Sequence, residues 1–226
     1  MLGETIEYTT RNEEKFGGYF TKPVGEGPFP GILLITAIFG IDNEMIELAD
    51  AWAEDGFMVS VPDIFWRQLA GPTSDIEVAK GRMNDFDQVQ GMSDIEDLIQ
   101  DLRGRGSCNG KVGILGFCFG GRYVHLSAAR LGVDAGAAFH GVSIGKHLDE
   151  TEKISCPMSL HFGGDDPAAP MDEVNAIKES YADHSNVDIG VYSGIGHNFA
   201  MPYKPGYDEN AANTSRAAAL KLFKSM

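Results

Sequence analysis

The segment Gly116-Phe117-Cys118-Phe119-Gly120-Gly121 constrains this chain more than any other. It follows an apolar run, residues 112–115, and opens a stretch with helical periodicity, so it reads as a sharp strand-to-helix turn. Such a turn demands glycine two residues before and two after its central residue, because a Cβ there collides with the neighbouring strand or helix. The turn strains the backbone at Cys118 and presents its side chain at a helix N-terminus, where the helix dipole favours an anion. A glycine-rich turn can also cradle a phosphate, and a cysteine can be a small buried residue. Against the phosphate, no Gly-Lys-Ser/Thr follows and the glycines do not fall as Gly-x-Gly-x-x-Gly.

Strands and helices alternate around this turn. Residues 4–10 and 17–21 read as an antiparallel hairpin, followed by the turn-rich loop Val24-Gly25-Glu26-Gly27-Pro28. Residues 31–36 form a continuous apolar run of the kind buried on both faces of a parallel sheet. A helix over 42–55 gathers Met45, Ile46, Ala49, Trp52 and Ala53 and stops at Gly56; a strand over 57–61 stops at Pro62. The periodicity predicts helix over about 74–103 with a break near Gly91, its apolar stripe being Ile95, Leu98, Ile99 and Leu102. Strands are expected at 111–115, Ala135–Phe139, 158–162 and Val187–Tyr192, and helices at 120–131, 172–182 and 211–226. Strands separated by helices of this length need crossover connections. The fold class is therefore α/β, a mostly parallel twisted sheet with helices on both faces. With 226 residues, 43% of them hydrophobic, a single domain over 1–226 is expected.

Charge and cysteine content exclude several partners. A net charge of −15, from 18 basic and 33 acidic residues, leaves no basic face for nucleic acid and disfavours anionic lipid. Met1-Leu2-Gly3-Glu4 lacks the pattern of a secretory signal, and the longest apolar run, 32–35, falls far short of the ~20 residues of a membrane helix. Cys108, Cys118 and Cys156 show neither Cys-x-x-Cys nor metal-ligand spacing, which points to a reduced, cytoplasmic setting. Monomer and homo-oligomer both stay open.

In parallel α/β sheets the working residues sit at the C-terminal ends of strands. Phe162-Gly163-Gly164-Asp165-Asp166 follows one expected strand and Gly194-Ile195-Gly196-His197-Asn198-Phe199 the last. Singly, either aspartate can cap a turn and His197 can be a surface loop residue. Together with Cys118 they place nucleophile, acid and histidine in that order at three strand ends.

With these motifs the sequence resembles the dienelactone hydrolase family of α/β-hydrolases, over nearly the whole chain from about Tyr19. The carrying residues are Ile38-Phe39-Gly40, Pro62-Asp63, Asn109-Gly110-Lys111-Val112-Gly113 and Gly116-x-Cys118-x-Gly120-Gly121. Gly163-Gly164-x-Asp166-x-x-x-Pro170 and Gly196-His197-x-Phe199 complete the set. The resemblance implies an α/β-hydrolase fold with Cys118, Asp166 and His197 as the triad. Asp166 is preferred to Asp165 because it has the proline four residues on. Backbone N–H groups of Ile38 and Phe119 are the expected oxyanion hole. The reaction implied is cleavage of small esters or lactones through a thioester, with no metal or organic cofactor. Thiolates leave more readily than amines, so amides are disfavoured.

The family pattern breaks at three charged positions. Dienelactone hydrolases carry a glutamate just before Ile-Phe-Gly, where this chain has Ala37, and two substrate-binding arginines, which fall at Met201 and near Ile76. The pocket residues expected are Ala37, Phe39, Trp66, Ile76, His140, Phe199 and Met201, and they favour a neutral or aromatic substrate. Lys80, Arg82 and Arg122 are replacement charges in principle, and are read as surface residues. His140 either lines the pocket or is a hydrogen-bonded structural histidine. His125 and His161 are expected in or near the core. A second reading keeps the scaffold without catalysis, as a small-molecule-binding or redox-responsive protein.

Overall fold

The computed structural model describes residues 3–226; Met1 and Leu2, which begin the stretch read above for a signal, lie outside the described residues. The chain falls into two compact units, Met1–Val112 and Gly113–Met226.

In the first unit, β1 (Glu4–Thr9) and β2 (Lys15–Thr21) form the expected antiparallel hairpin. Strand β2 pairs antiparallel with β4 (Met58–Pro62), which pairs parallel with β3 (Phe29–Ile35), giving the order β1-β2-β4-β3. Residues 32–35 of β3 are all 0% exposed, as an unbroken apolar run inside a two-sided core must be. Helix α1 (Asn43–Glu54) starts at Asp42, whose side chain accepts the Met45 N–H at 3.0 Å.

The expected helix over about 74–103 is two helices, α3 (Ile76–Asn84) and α4 (Gln88–Gly104). The break lies at residues 85–87 and not at Gly91. Asp87 caps α4 by accepting the N–H groups of Val89 and Gln90 at 2.8 and 3.1 Å. Gly91 sits in the first turn of α4 because a Cβ there would lie 2.3 Å from the Phe86 ring, so its glycine serves packing and not chain breaking. A short helix, α2 (Trp66–Leu69), precedes them; four residues are too few to show a period.

Strand β5 (Cys108–Phe117) starts in the first unit and runs into the second, where β5, β6 (Ala135–Phe139), β7 (Met158–Gly163) and β8 (Val187–Tyr192) pair in parallel, in that order. Gly113 and Gly116 are three apart on β5 and therefore point to opposite faces. A Cβ on Gly113 would strike Phe223 of α7 (Glu209–Phe223), and one on Gly116 would strike Val124 of α5 (Phe119–Arg130). Helices thus cover both faces of this part of the sheet. Helix α6 (Met171–Ser180) and a 3₁₀ stretch, Ile144–Lys153, complete the unit. The 3₁₀ stretch gives no sequence period and is held by Glu150, which pairs with Arg130 and Lys153. Burial and hydrogen bonding confirm His125 and His161 as core residues: His125 bonds Tyr181 and the His147 carbonyl, and His161 bonds Ser159 and Tyr192. Among the described residues no helix is long and apolar enough to cross a membrane.

Candidate active site

Cys118 stands between β5 and α5 with φ 51° and ψ −113°, a left-handed backbone that an L-residue holds only when its surroundings enforce it. Its N–H donates to the Phe139 carbonyl at 3.1 Å, and its carbonyl accepts from Gly121 and Val142 at 3.0 and 3.1 Å. Two glycines of this turn, Gly116 and Gly121, explain themselves sterically. A Cβ on Gly116 would sit 2.4 Å from the Gly120 carbonyl oxygen, and one on Gly121 would sit 2.4 Å from Gly141 Cα. Phe119 is the first helical residue of α5, at the end where N–H groups have no intrahelical acceptors.

The acid and the histidine meet through a similar close approach. A Cβ on Gly163 would lie 2.4 Å from the Ile195 carbonyl oxygen and 2.5 Å from that of Gly196. Their loops are then tied by backbone bonds, Gly164 N–H to Tyr192 at 2.7 Å and Asp165 N–H to Ile195 at 2.9 Å. Asp165 is an exposed turn residue, and Asp166 is buried, 3% exposed. One Asp166 oxygen accepts the Ala168 N–H at 2.8 Å; the other lies 2.6 Å from His197 Nδ1. Burial opposes charge on His197, but the Asp166 hydrogen bond and the Cys118 sulfur outweigh it and push the imidazole up to about 10. Cys118, Asp166 and His197 therefore come together in the second unit, and the imidazole is poised as an imidazolium.

His140, at the end of β6, packs its ring against His197, with centroids 4.7 Å apart at 70°, and against Phe199 at 5.6 Å. It is fully buried, and among the described residues neither ring nitrogen meets a hydrogen-bond partner. Burial, with the nearby His197, holds its pKa well below the usual imidazole value. Phe199 and Met201, at 0% and 1% exposure, follow on the same loop.

In the first unit Ala37 is buried, Phe39 half-buried and Ile76 exposed at the start of α3. Trp66 stacks on Phe16 at 5.1 Å and carries the Arg67 guanidinium 3.9 Å above its ring. Lys80 is an exposed residue paired with Glu77, and Arg122 is half-buried beside Phe119 and Tyr123. The surface reading fails for Arg82, which is 3% exposed. Its guanidinium donates to the Ile38 carbonyl from Nε and Nη2 at 3.0 and 2.8 Å, and from Nη1 to Leu69 and Gly71 at 3.2 and 2.7 Å. A sequence signal existed: Arg82 lies three residues after Ala79, which is 0% exposed, and so shares the buried face of α3.

The dienelactone hydrolase family profile matches residues 16–226. The chain belongs to the dienelactone hydrolase family. Among curated relatives of this dienelactone hydrolase-family chain, Carboxymethylenebutenolidase 1 of Cupriavidus pinatubonensis is 29% identical, covering 98% of this chain and 97% of the relative. The carboxymethylenebutenolidase of Pseudomonas putida is 30% identical over 94% and 92%. Among solved structures, a candidate dienelactone hydrolase from Klebsiella pneumoniae superimposes with a TM-score of 0.88 at 23% identity, covering 99% of both chains. A dienelactone hydrolase-like promiscuous phosphotriesterase from metagenomic libraries gives 0.84 at 21% identity, covering 100% of this chain and 99% of the other. The fold is that of the α/β-hydrolases, and the protein is a dienelactone hydrolase-like hydrolase.

Proposed function

We propose that this dienelactone hydrolase-family protein cleaves small neutral or aromatic esters and lactones with Cys118 as nucleophile, His197 as acid–base and Asp166 as the group that orients and charges the imidazole. We read the chain as one catalytic domain, 1–226, because β5 is a single strand through the boundary between the units. The observation that carries the reading is the 2.6 Å contact of buried Asp166 with His197, on an imidazole whose pKa the Cys118 sulfur helps to raise.

In this mechanism the Cys118 sulfur attacks the ester carbonyl as its proton rests on His197. The carbonyl oxygen becomes an oxyanion, received by backbone N–H groups such as that of Phe119, at the start of α5. His197 returns its proton to the leaving alkoxide, and a thioester forms. Water then gives a proton to His197 and attacks the thioester carbon; Cys118 leaves as thiolate and the free acid departs. The residues at the family's charged positions, Ala37, Ile76 and Met201, leave a substrate carboxylate without a bidentate partner, which favours neutral substrates. Phe39, Trp66 and Phe199 likewise bring no charge, and burial keeps His140 neutral, in line with a neutral or aromatic substrate. Three free cysteines suit a reducing, cytoplasmic setting.

The test is p-nitrophenyl acetate hydrolysis by the wild-type protein and by Cys118→Ala. A loss of about 10³-fold or more in kcat is expected. Equal rates would sink the nucleophile; no turnover of any neutral ester, lactone or dienelactone would favour the non-catalytic binder that the missing charges leave open. Preference for a carboxylate-bearing dienelactone over a neutral aryl ester would overturn the substrate class.

A further inference from the structure

His140 stands where the supports of Cys118, Asp166 and His197 meet. It follows β6 with φ 41°, a second left-handed residue one strand away from Cys118. Its N–H donates at 2.8 Å to the His161 carbonyl of β7, the strand that leads to Asp166. The residues around it hold Cys118: Phe139 accepts the Cys118 N–H and Val142 donates to the Cys118 carbonyl, both at 3.1 Å. From this fixed backbone the ring meets three others, Phe117 with centroids 6.0 Å apart, Phe199 at 5.6 Å and His197 at 4.7 Å. Phe117 and Phe199 are themselves buried, and close packing leaves the ring little freedom to retreat from His197.

An imidazole in this place costs stability, because it is 0% exposed and its two nitrogens go without hydrogen bonds among the described residues. A phenyl ring would fill the space without that cost. Imidazole differs from phenyl in its dipole, which offsets burial only beside a charge. The charge at hand is the His197 imidazolium; burial and that charge together keep His140 neutral.

What His197 needs is a fixed plane. Its Nδ1 contact with Asp166, at 2.6 Å, pins one atom and leaves the ring free to swing about it. In the resting protein the Cys118 sulfur is a second partner. Acylation of the sulfur removes that partner. Nε2 must then take a proton from water while the water oxygen attacks the thioester carbon and the carbon–sulfur bond breaks. The His140 ring, at 70° to the His197 plane, is in place to set its tilt at that stage.

We propose that His140 is a positioning residue for thioester hydrolysis, its buried ring holding the His197 plane so that Nε2 faces the attacking water once the Cys118 sulfur is acylated. The proposal rests on the reading above, in which Cys118 is the nucleophile and His197 the acid–base. His140 touches no substrate; it acts through His197.

The experiment compares His140→Asn and His140→Phe with the wild-type chain. Asparagine tolerates the left-handed backbone and removes the ring; phenylalanine keeps a ring and removes the dipole. p-Nitrophenyl acetate acetylates Cys118, and acid quench with mass spectrometry follows the acetyl group as it forms and decays. Decay should slow about tenfold to a hundredfold in His140→Asn, a part of the ~10²–10⁴ that a well-placed general base supplies, and less in His140→Phe. Acetylation and iodoacetamide alkylation both begin while the sulfur still holds His197. Their rates should stay within about threefold of wild type, a split that a merely structural role would not produce. Decay at the wild-type rate in His140→Asn overturns the proposal, and so does a His140→Phe decay no faster than that of His140→Asn. Equal falls in acetylation and decay, or failure of His140→Asn to fold, also overturn it, since each marks His140 as scaffold alone. Hydrolysis that survives Cys118→Ala, or a wild-type chain with none, fails the functional reading itself, whatever His140 does.

Discussion

At Cys118 backbone and side chain obey separate demands: the positive φ turns the chain from β5 into α5, and the histidine loop supplies the charge partner. The three cysteines are therefore not equivalent. Iodoacetamide near neutral pH should label Cys118 first, and Cys156, whose thiol burial pushes up to about 11, should react last. Peptide mapping after brief labelling checks this, and equal labelling of all three sites would count against an activated thiol. Asp166→Asn keeps the size of the side chain but removes the charge that holds the imidazolium. It should lower kcat by about 10²–10⁴ while leaving the fold intact, readable by steady-state kinetics beside a circular dichroism spectrum. The expected triad could be named from the sequence because each member sits in a glycine-marked turn, with the choice of Asp166 over Asp165 coming from the family resemblance. Arg82 was not, because a cation on a helix usually faces water, and only its position three residues from a buried alanine hinted otherwise.

Helices and strands were legible wherever a period ran long enough. Strands β6 and β8 fall where periodicity and apolar runs put them, and α1 needed only the Asp42 cap. The helix break moved from Gly91 to residues 85–87 because a capping aspartate decides a boundary more strongly than a glycine that serves packing. The elbow makes the sharpest prediction at this scale. Gly121→Ala forces a Cβ to 2.4 Å from Gly141 Cα, backbone against backbone, where neither element can yield cheaply. The expected cost is about 1–3 kcal/mol, and with roughly 2–4 °C per kcal/mol for a chain of this size a thermal melt should register it. An unshifted melt would show that α5 and the turn at Gly141 can part without penalty.

For the whole molecule, buried histidines set opposite limits on stability. His197 is raised to about 10, so the stability its charge contributes is complete below about pH 6.5 and is lost as pH rises through 10. His161, lowered by burial to about 4, and His140, also lowered by burial, work the other way: the unfolded chain takes up protons first, and stability falls as pH drops below 6.5. Glu150, held down to about 2 by Arg130, adds its loss below about 4.5. Urea unfolding across pH 4 to 10 should trace a dome with its top near pH 6.5, with His197→Gln flattening the alkaline side and His140→Phe the acid side; a flat acid side in the wild-type chain would contradict it. The net charge of −15 should also repel anionic substrates, so that added salt raises kcat/KM for a carboxylate-bearing lactone and leaves a neutral ester unchanged. Composition, periodicity and glycine-marked turns by themselves determined the α/β class and most of the strands and helices, and the family resemblance pointed to Cys118, Asp166 and His197, because local sterics and the faces that must be buried are written along the chain. Tertiary structure alone decided the 2.6 Å meeting of Asp166 with His197, the unpartnered burial of His140 and the grip of Arg82 on Ile38, because each joins side chain to atoms far along the chain, and only the packed fold sets how near they come.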